Sequence, residues 1–189
     1  MVRVRGVPVD LDDALRLAAL HLRHPAPTSY DGLDALLSVC TGTVLGASAA
    51  AISTAGHGRV HSTHATDPAV RDVDAWHNHL GRGPLLAEAE IGPPDLAVLV
   101  VEDLAFEIDD GVVRVRVTPP FRALHSTTLR SEDGSRTALD LYAVEADVLG
   151  LDTTVLVDMF ARRATSLLHG TGELVAGSVD RRGRPRDHR

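Results

Sequence analysis

Apolar positions along the chain recur with two periods, and the period changes at glycines and prolines. Between residues 28 and 44, Leu33, Leu36, Leu37, Cys40 and Val44 fall on one helical face, with Thr28 or Ser29 placed to cap it. Asp67-Pro68 opens a second helix, because aspartate is a good cap and proline is tolerated at the first helical position. Ala69, Val73, Trp76 and Leu80 are its expected apolar face. Gly81 stops it, Gly81-Arg82-Gly83-Pro84 makes a turn, and a short helix over residues 85–90 follows. Asp152 caps a last helix, to about His169, with Leu156, Met159, Phe160, Ala164, Leu167 and Leu168 as its face and Gly170 as its stop. Near the start, residues 1–9 read as an extended arm. Asp10 then caps a helix over 11–24 with one stripe, Leu11, Leu15, Ala18 and Leu22, closed by His24-Pro25-Ala26-Pro27.

Strand signals fill the remainder. Residues 46–54 are alanine-rich, a weak strand by composition, and a helix over 47–52 competes. The turn Ala55-Gly56-His57-Gly58 leading into residues 59–65 favours a hairpin. Leu96–Val101 reads as a buried strand. After Asp109-Asp110-Gly111, Val113, Val115 and Val117 alternate with Arg114 and Arg116, the pattern of a strand buried on one face. Residues 122–130 and 136–144 are two more strands joined by Glu132-Asp133-Gly134.

Composition narrows this picture. The chain has 189 residues, enough for one sizeable core, and with 3% aromatics that core is built from Leu, Val and Ala. All 19 basic residues are Arg, and abundant Ala, Val and Asp accompany them, which points to a genome-wide bias. The formal net charge of −7 argues against the main body binding nucleic acid. In the tail, Arg182-Gly183-Arg184-Pro185 resembles the core of an AT-hook, a match that chance explains in an arginine-only composition. One cysteine, Cys40, allows neither an intrachain disulfide nor a CxxC motif. No apolar run approaches the ~18 residues of a membrane span and no signal-like segment follows Met1, so the chain is expected to be soluble and cytoplasmic. Residues 171–189 are Gly- and then Arg-rich and are expected to form a disordered tail behind one domain over 10–170.

The ordered set Ala65-Thr66-Asp67-Pro68, Gly81-Arg82-Gly83-Pro84, Val100-Val101-Glu102-Asp103-Leu104, R-A-L-H-S-T-T-L-R-S-E-D-G from Arg122 and A-L-D-L-Y-A from Ala138 resembles a GAF domain. The closer resemblance is to the GAF domains of actinobacterial regulators that often carry an RNA-binding ANTAR domain. The resemblance spans about residues 10–169. It implies an α+β fold, a central antiparallel sheet with helices 11–24, 28–44 and 152–169 on one face and a ligand pocket on the other. It also implies a non-catalytic sensory or regulatory role in signalling or transcriptional control. Two departures stand out. Residues 105–120 lack the Trp-Pro helix start of those relatives, and no stretch after Gly170 is long enough for an ANTAR module.

Against this frame the candidate chemistry is sparse. Trp76, the single tryptophan, is either core or a pocket wall, and His64, Arg82 and His125 are placed to supply polar contacts to such a pocket. No catalytic set is legible, since Ser126 and His125 are adjacent strand residues that face opposite ways. Glu88, Glu90, Glu102 and Asp103 read as a solvated rim. No metal site is expected: strict alternation lets His57 and His61 share a face and turns His64 away, and His77 and His79 lie about 200° apart on a helix. The pattern names no cofactor. Because one sheet face cannot bury every leucine of three helices, a homodimer through 11–24, 28–44 and 152–169 is expected, with a helical assembly module and a vestigial pocket as the alternative function.

Overall fold

The computed structural model describes residues 29–91, 95, 97–104, 106–109, 114–117, 120–132, 134–150 and 153–179. The N-terminal arm, the helix expected over 11–24 and the Arg-rich segment from residue 180 lie outside them. Among the described residues, no helix is long and apolar enough to cross a membrane. Among the described residues there are four helices: α1 (Ser29–Thr43), α2 (Val70–Leu80), α3 (Pro84–Ile91) and α4 (Thr154–Val179). The strands are β1 (Ala49–Gly56), β2 (Arg59–Ala65), β3 (Val98–Val101), β4 (Phe106–Asp109), β5 (Arg114–Val117), β6 (Ala123–Glu132) and β7 (Ser135–Ala143). Five of them form an antiparallel sheet in the order β2-β1-β7-β6-β3, and β4 pairs β5 in a separate ribbon.

Strand periodicity divides the core into two layers. On one face, Ala50, Ile52, Leu139, Leu141 and Ala143 meet the buried sides of α1 and α4, including Leu37, Cys40, Val157 and Phe160. On the other face, Ala49, Ala51, Ala55, Leu124 and Tyr142 meet Val70 and Val73 of α2 and Leu85, Leu86 and Ala89 of α3. Alanines in β1 are therefore no accident of composition. Ala49, Ala50, Ala51 and Ala55 are buried between two helical layers, where a small side chain lets helices approach from both sides. Burial from both sides overrides the weak intrinsic strand propensity of residues 46–54 and settles the competing helix reading against 47–52.

Several local expectations are corrected. The buried stripe of α2 is Val70, Val73, Asp74 and His77, not Ala69, Val73, Trp76 and Leu80, so the helix is rotated relative to its hydropathy pattern. Asp67 accepts from the Ala69 amide at 2.8 Å, one residue ahead of the helix proper, and Ala69 occupies the cap position. β3 is the edge strand of the sheet and only half-buried, with Val98 exposed, not a buried strand. α4 continues through Gly170 to Val179. Each helical glycine costs only about 1 kcal/mol relative to alanine, so Gly170, Gly172 and Gly177 weaken this last stretch without ending it.

A bulge in β2 alters the histidine geometry. Ile52 pairs with His64 but the next residue, Ser53, pairs with Ser62, leaving Thr63 as the extra residue. Ser62 consequently faces α2 while His64 faces α1, where its Nδ1 lies 2.9 Å from Asp34 Oδ1. His61, paired with Thr54, is on the same side as His64. The strict-alternation reading, which set His64 against His61, fails at the bulge.

The turn between α2 and α3 has a steric cause for each glycine. Gly81 ends α2 in the left-handed region at φ 59°, with open space where a Cβ would stand. Gly83 sits at φ 140°, and a Cβ there would land on the His77 imidazole, 2.8 Å from Nε2. The backbone of Gly83 thus closes over the buried His77 ring. Gly83→Ala is expected to lower stability by about 3 kcal/mol, from strain plus overpacking. Gly81→Ala should lower it by only about 1 kcal/mol. Equal midpoint shifts in chemical denaturation would contradict this account of the turn.

Candidate functional site

The α2/α3 face of the sheet is polar at its centre. β7 is the middle strand, and its residues 136, 138, 140 and 142 all point to that face, bringing Arg136, Asp140 and Tyr142 under the helices. Arg136 and Asp140 are buried, with 1% and 0% exposure, and Tyr142 is likewise at 0%. A buried charge is tolerated only when it is paired and hydrogen-bonded. Here the pairing is indirect. Arg136 Nη2 donates to Ser126 Oγ, and Ser126 donates in turn to Asp140 Oδ1. Ser53 of β1 donates to Asp140 Oδ2, and Arg136 Nε donates to Thr128 Oγ1 at 2.9 Å. The carboxylate of one strand is thereby held by hydroxyls from both neighbouring strands.

α2 contributes a second carboxylate. Asp74 accepts the Ser62 amide at 2.8 Å on Oδ2 and the Ser62 hydroxyl at 3.1 Å on Oδ1, fixing α2 to β2. One turn on, His77 Nδ1 lies 2.9 Å from the Val73 carbonyl and donates to it. Burial raises the Asp74 carboxyl above the ordinary range, opposed by its bonds to Ser62, while the Asp140 charge raises it further. Burial also lowers the His77 imidazole, so the ring is neutral at neutral pH. The Tyr142 phenol is pushed well above its usual value, first by burial and then by the Asp140 and Asp74 charges, with Arg136 acting the other way. Its ring packs against Phe121 at a centroid distance of 5.3 Å.

Two donors in this chamber are left over. Arg136 Nη1 and the Tyr142 hydroxyl are buried and have no hydrogen-bond partner. Leaving such groups unsatisfied costs about 1–3 kcal/mol each, and more for a charged group.

Outside α2 lies an open groove of about 470 Å³, lined by Asp72, Ala75, Trp76, His79 and Pro120. It adjoins the chamber through neighbours in sequence: Trp76 precedes the buried His77, and Pro120 precedes Phe121, which packs on Tyr142. The sequence offered Trp76 as core or as the wall of a pocket on this face of the sheet; the groove instead meets Trp76 on the outward side of the helix.

The four residues singled out from the sequence do not converge. Trp76 is half-buried in the groove, and Arg82 is exposed in the turn between α2 and α3. His64 is on the α1 side of the sheet with Asp34. His125 is buried on the α4 side, where its Nδ1 lies 3.4 Å from Thr153 Oγ1. The Thr153 proton is committed to the Gly150 carbonyl at 2.6 Å, so Nδ1 is the donor and Nε2 carries the lone pair. Nε2 has no partner, nor do the Thr127 and Thr154 hydroxyls nearby in sequence. The chamber residues were missed because Arg136, Asp140 and Tyr142 alternate with Leu139 and Leu141, a pattern that reads as a solvent face. The available signal was that this polar face belongs to a strand flanked by strands on both sides.

No protein-family model matches the chain, and no curated protein matches it by sequence. Its fold, however, is shared with solved structures. The GAF domain from a phosphoenolpyruvate-protein phosphotransferase of Coxiella burnetii superposes with a TM-score of 0.58 at 11% identity, covering 86% of this chain and 95% of that one. The reduced form of fRMsr of Staphylococcus aureus gives 0.55 at 10% identity, over 89% of this chain and 99% of that one. The chromophore-binding domain of the bacteriophytochrome RpBphP3 from R. palustris gives 0.53 at 11% identity, over 88% and 65%. The architecture is thus a GAF-like α+β fold.

The buried histidine yields a pH prediction. Desolvation lowers His125 to about 4, from 6.5 in the unfolded chain. Between these values the unfolded chain takes up a proton that the folded protein refuses, so stability falls as pH falls through that window. From pH 7 to pH 5 the loss due to His125 is about 2 kcal/mol. His125→Gln should remove that part of the acid sensitivity. Identical pH dependence of unfolding in both proteins would contradict it.

Proposed function

We propose that the chain is a non-catalytic sensory or regulatory domain that binds a small molecule on the α2 side of the sheet. The observation that carries this reading is the pair of buried, unpartnered donors, Arg136 Nη1 and the Tyr142 hydroxyl. A ligand that accepts from either donor would remove that penalty. The GAF-like fold supports the role by analogy, since a chromophore-binding domain is among the proteins that share it. So does the resemblance of the sequence motifs to the GAF domains of actinobacterial regulators. The groove at Trp76 is the approach to the chamber on this reading. A reductase role through cysteine is disfavoured because Cys40, the single cysteine, is buried in α1 and its thiol is pushed well up by desolvation.

A second reading, assembly through the helices, is supported by the exposed Leu45, Val144 and Val155 on the segments that enter β1, leave β7 and open α4. A homodimer that buries these side chains would shield them. Native mass spectrometry of freshly purified protein tests the sensory reading. The expected result is a chain carrying a small-molecule adduct that is lost in Tyr142→Phe. Bare chain alone, in wild type and variant alike, would contradict it.

A further inference from the structure

The outward side of α2 carries a side chain that the packing of the helix on the sheet does not use. Trp76 is the single tryptophan of the chain, and it stands half-buried outside the inward stripe of Val70, Val73, Asp74 and His77. Asp72, Ala75, Trp76 and His79 are spaced i, i+3, i+4 and i+7, so they form one stripe along the helix surface. Pro120 stands across from this stripe, and the groove of about 470 Å³ lies between them. That volume falls within the range of small-molecule sites, about 300–1,000 Å³. From Asp72 to His79 the stripe covers about 10 Å of helix, the length of a small molecule and too short to seat a partner helix.

The lining sorts ligands by charge. Its polar groups are the Asp72 carboxylate and the His79 imidazole, and none of the described residues that line it is an arginine. Among the described residues, the Asp72 carboxylate has no ion-pair partner. An anion would be repelled by this carboxylate and by the negative face of the indole. A cation is attracted by both, since an ammonium within about 6 Å of a tryptophan ring is held by the ring quadrupole. The groove is open, so the cation must also give up water readily. A methylated ammonium does so at less cost than a primary one, which is compact and strongly hydrated.

We propose that the groove on the outward side of α2 binds a small organic cation, a methylated ammonium on an apolar body, with its charge between the Asp72 carboxylate and the Trp76 indole and its body against Ala75 and Pro120. The site uses none of the buried donors beneath α2, so it stands or falls separately from the reading above.

Because the chain has one tryptophan, its fluorescence reports on this groove alone. Benzyltrimethylammonium, benzyl alcohol and phenylacetate are each titrated into the full-length protein. The expected result is a saturable change in emission with the cation at millimolar concentration, about fivefold weaker binding of the neutral alcohol and none of the anion. Asp72→Asn, a substitution at an exposed position, should weaken the cation about threefold and leave the alcohol unchanged. Tyr142→Phe should leave all three titrations as in wild type. Quenching that rises linearly without saturation would show collision only and overturn the proposal. Equal affinity for cation and alcohol, binding of the anion, or an Asp72→Asn variant that binds like wild type would overturn it as well. Loss of the cation in Tyr142→Phe would overturn it by making the groove part of the site beneath α2.

Discussion

A guanidinium inside a protein core is the constraint around which this structure is arranged. Arg136 stands on the central strand with 1% exposure, and its charge is answered through a serine by a carboxylate four residues along the same strand. That relay draws hydroxyls from β1 and β6 onto one point, and so ties the three middle strands together through side chains as well as backbone. A network of this kind rigidifies when satisfied and is costly when any member is missing. The layer beneath α1 and α4 depends chiefly on packing: it is filled by Leu, Val, Ala and Phe, with His64, His125 and Thr127 among its buried polar members. The layer beneath α2 and α3 carries the functional chemistry.

α2 is the element through which this polar layer is covered. Its inward stripe is two valines followed by Asp74 and His77, and Asp74 fastens it to the edge hairpin at Ser62. The bulge at Thr63 is what turns Ser62 toward α2 and His64 toward α1. Gly83 then lets the following turn close onto His77. Three local features (a bulge, an inward aspartate and a glycine without a Cβ) therefore act on one outcome, the seating of a helix over a polar chamber.

Much of the architecture was legible in the sequence because its strongest signals were apolar. The face of α1, the β6–β7 hairpin and the Gly81 stop were read from spacing and turn residues alone, and the ordered motifs pointed to the GAF-like fold. The chamber was not legible for the same reason. Hydropathy phases α2 by Trp76 and Leu80, whereas the folded helix buries Asp74 and His77. It assigns Arg136, Asp140 and Tyr142 to solvent, whereas a second helical layer covers them. Whether a polar strand face is wet or covered depends on elements distant in sequence, and the β2 bulge that reverses His64 leaves no mark in an R-V-H-S-T-H-A stretch. Of the residues first singled out, Trp76 borders the groove next to the chamber, while His64 and His125 belong to the opposite layer.

The central claim is that the buried donors Arg136 Nη1 and the Tyr142 hydroxyl take part in holding a ligand on the α2 side of the sheet. A crystal structure of protein purified without denaturation, at a resolution that separates water from organic density, tests it most directly. The account predicts continuous density of several non-hydrogen atoms, with an acceptor within hydrogen-bonding distance of Arg136 Nη1 or the Tyr142 hydroxyl. A single water, or side chains of the protein itself satisfying both groups, would contradict it.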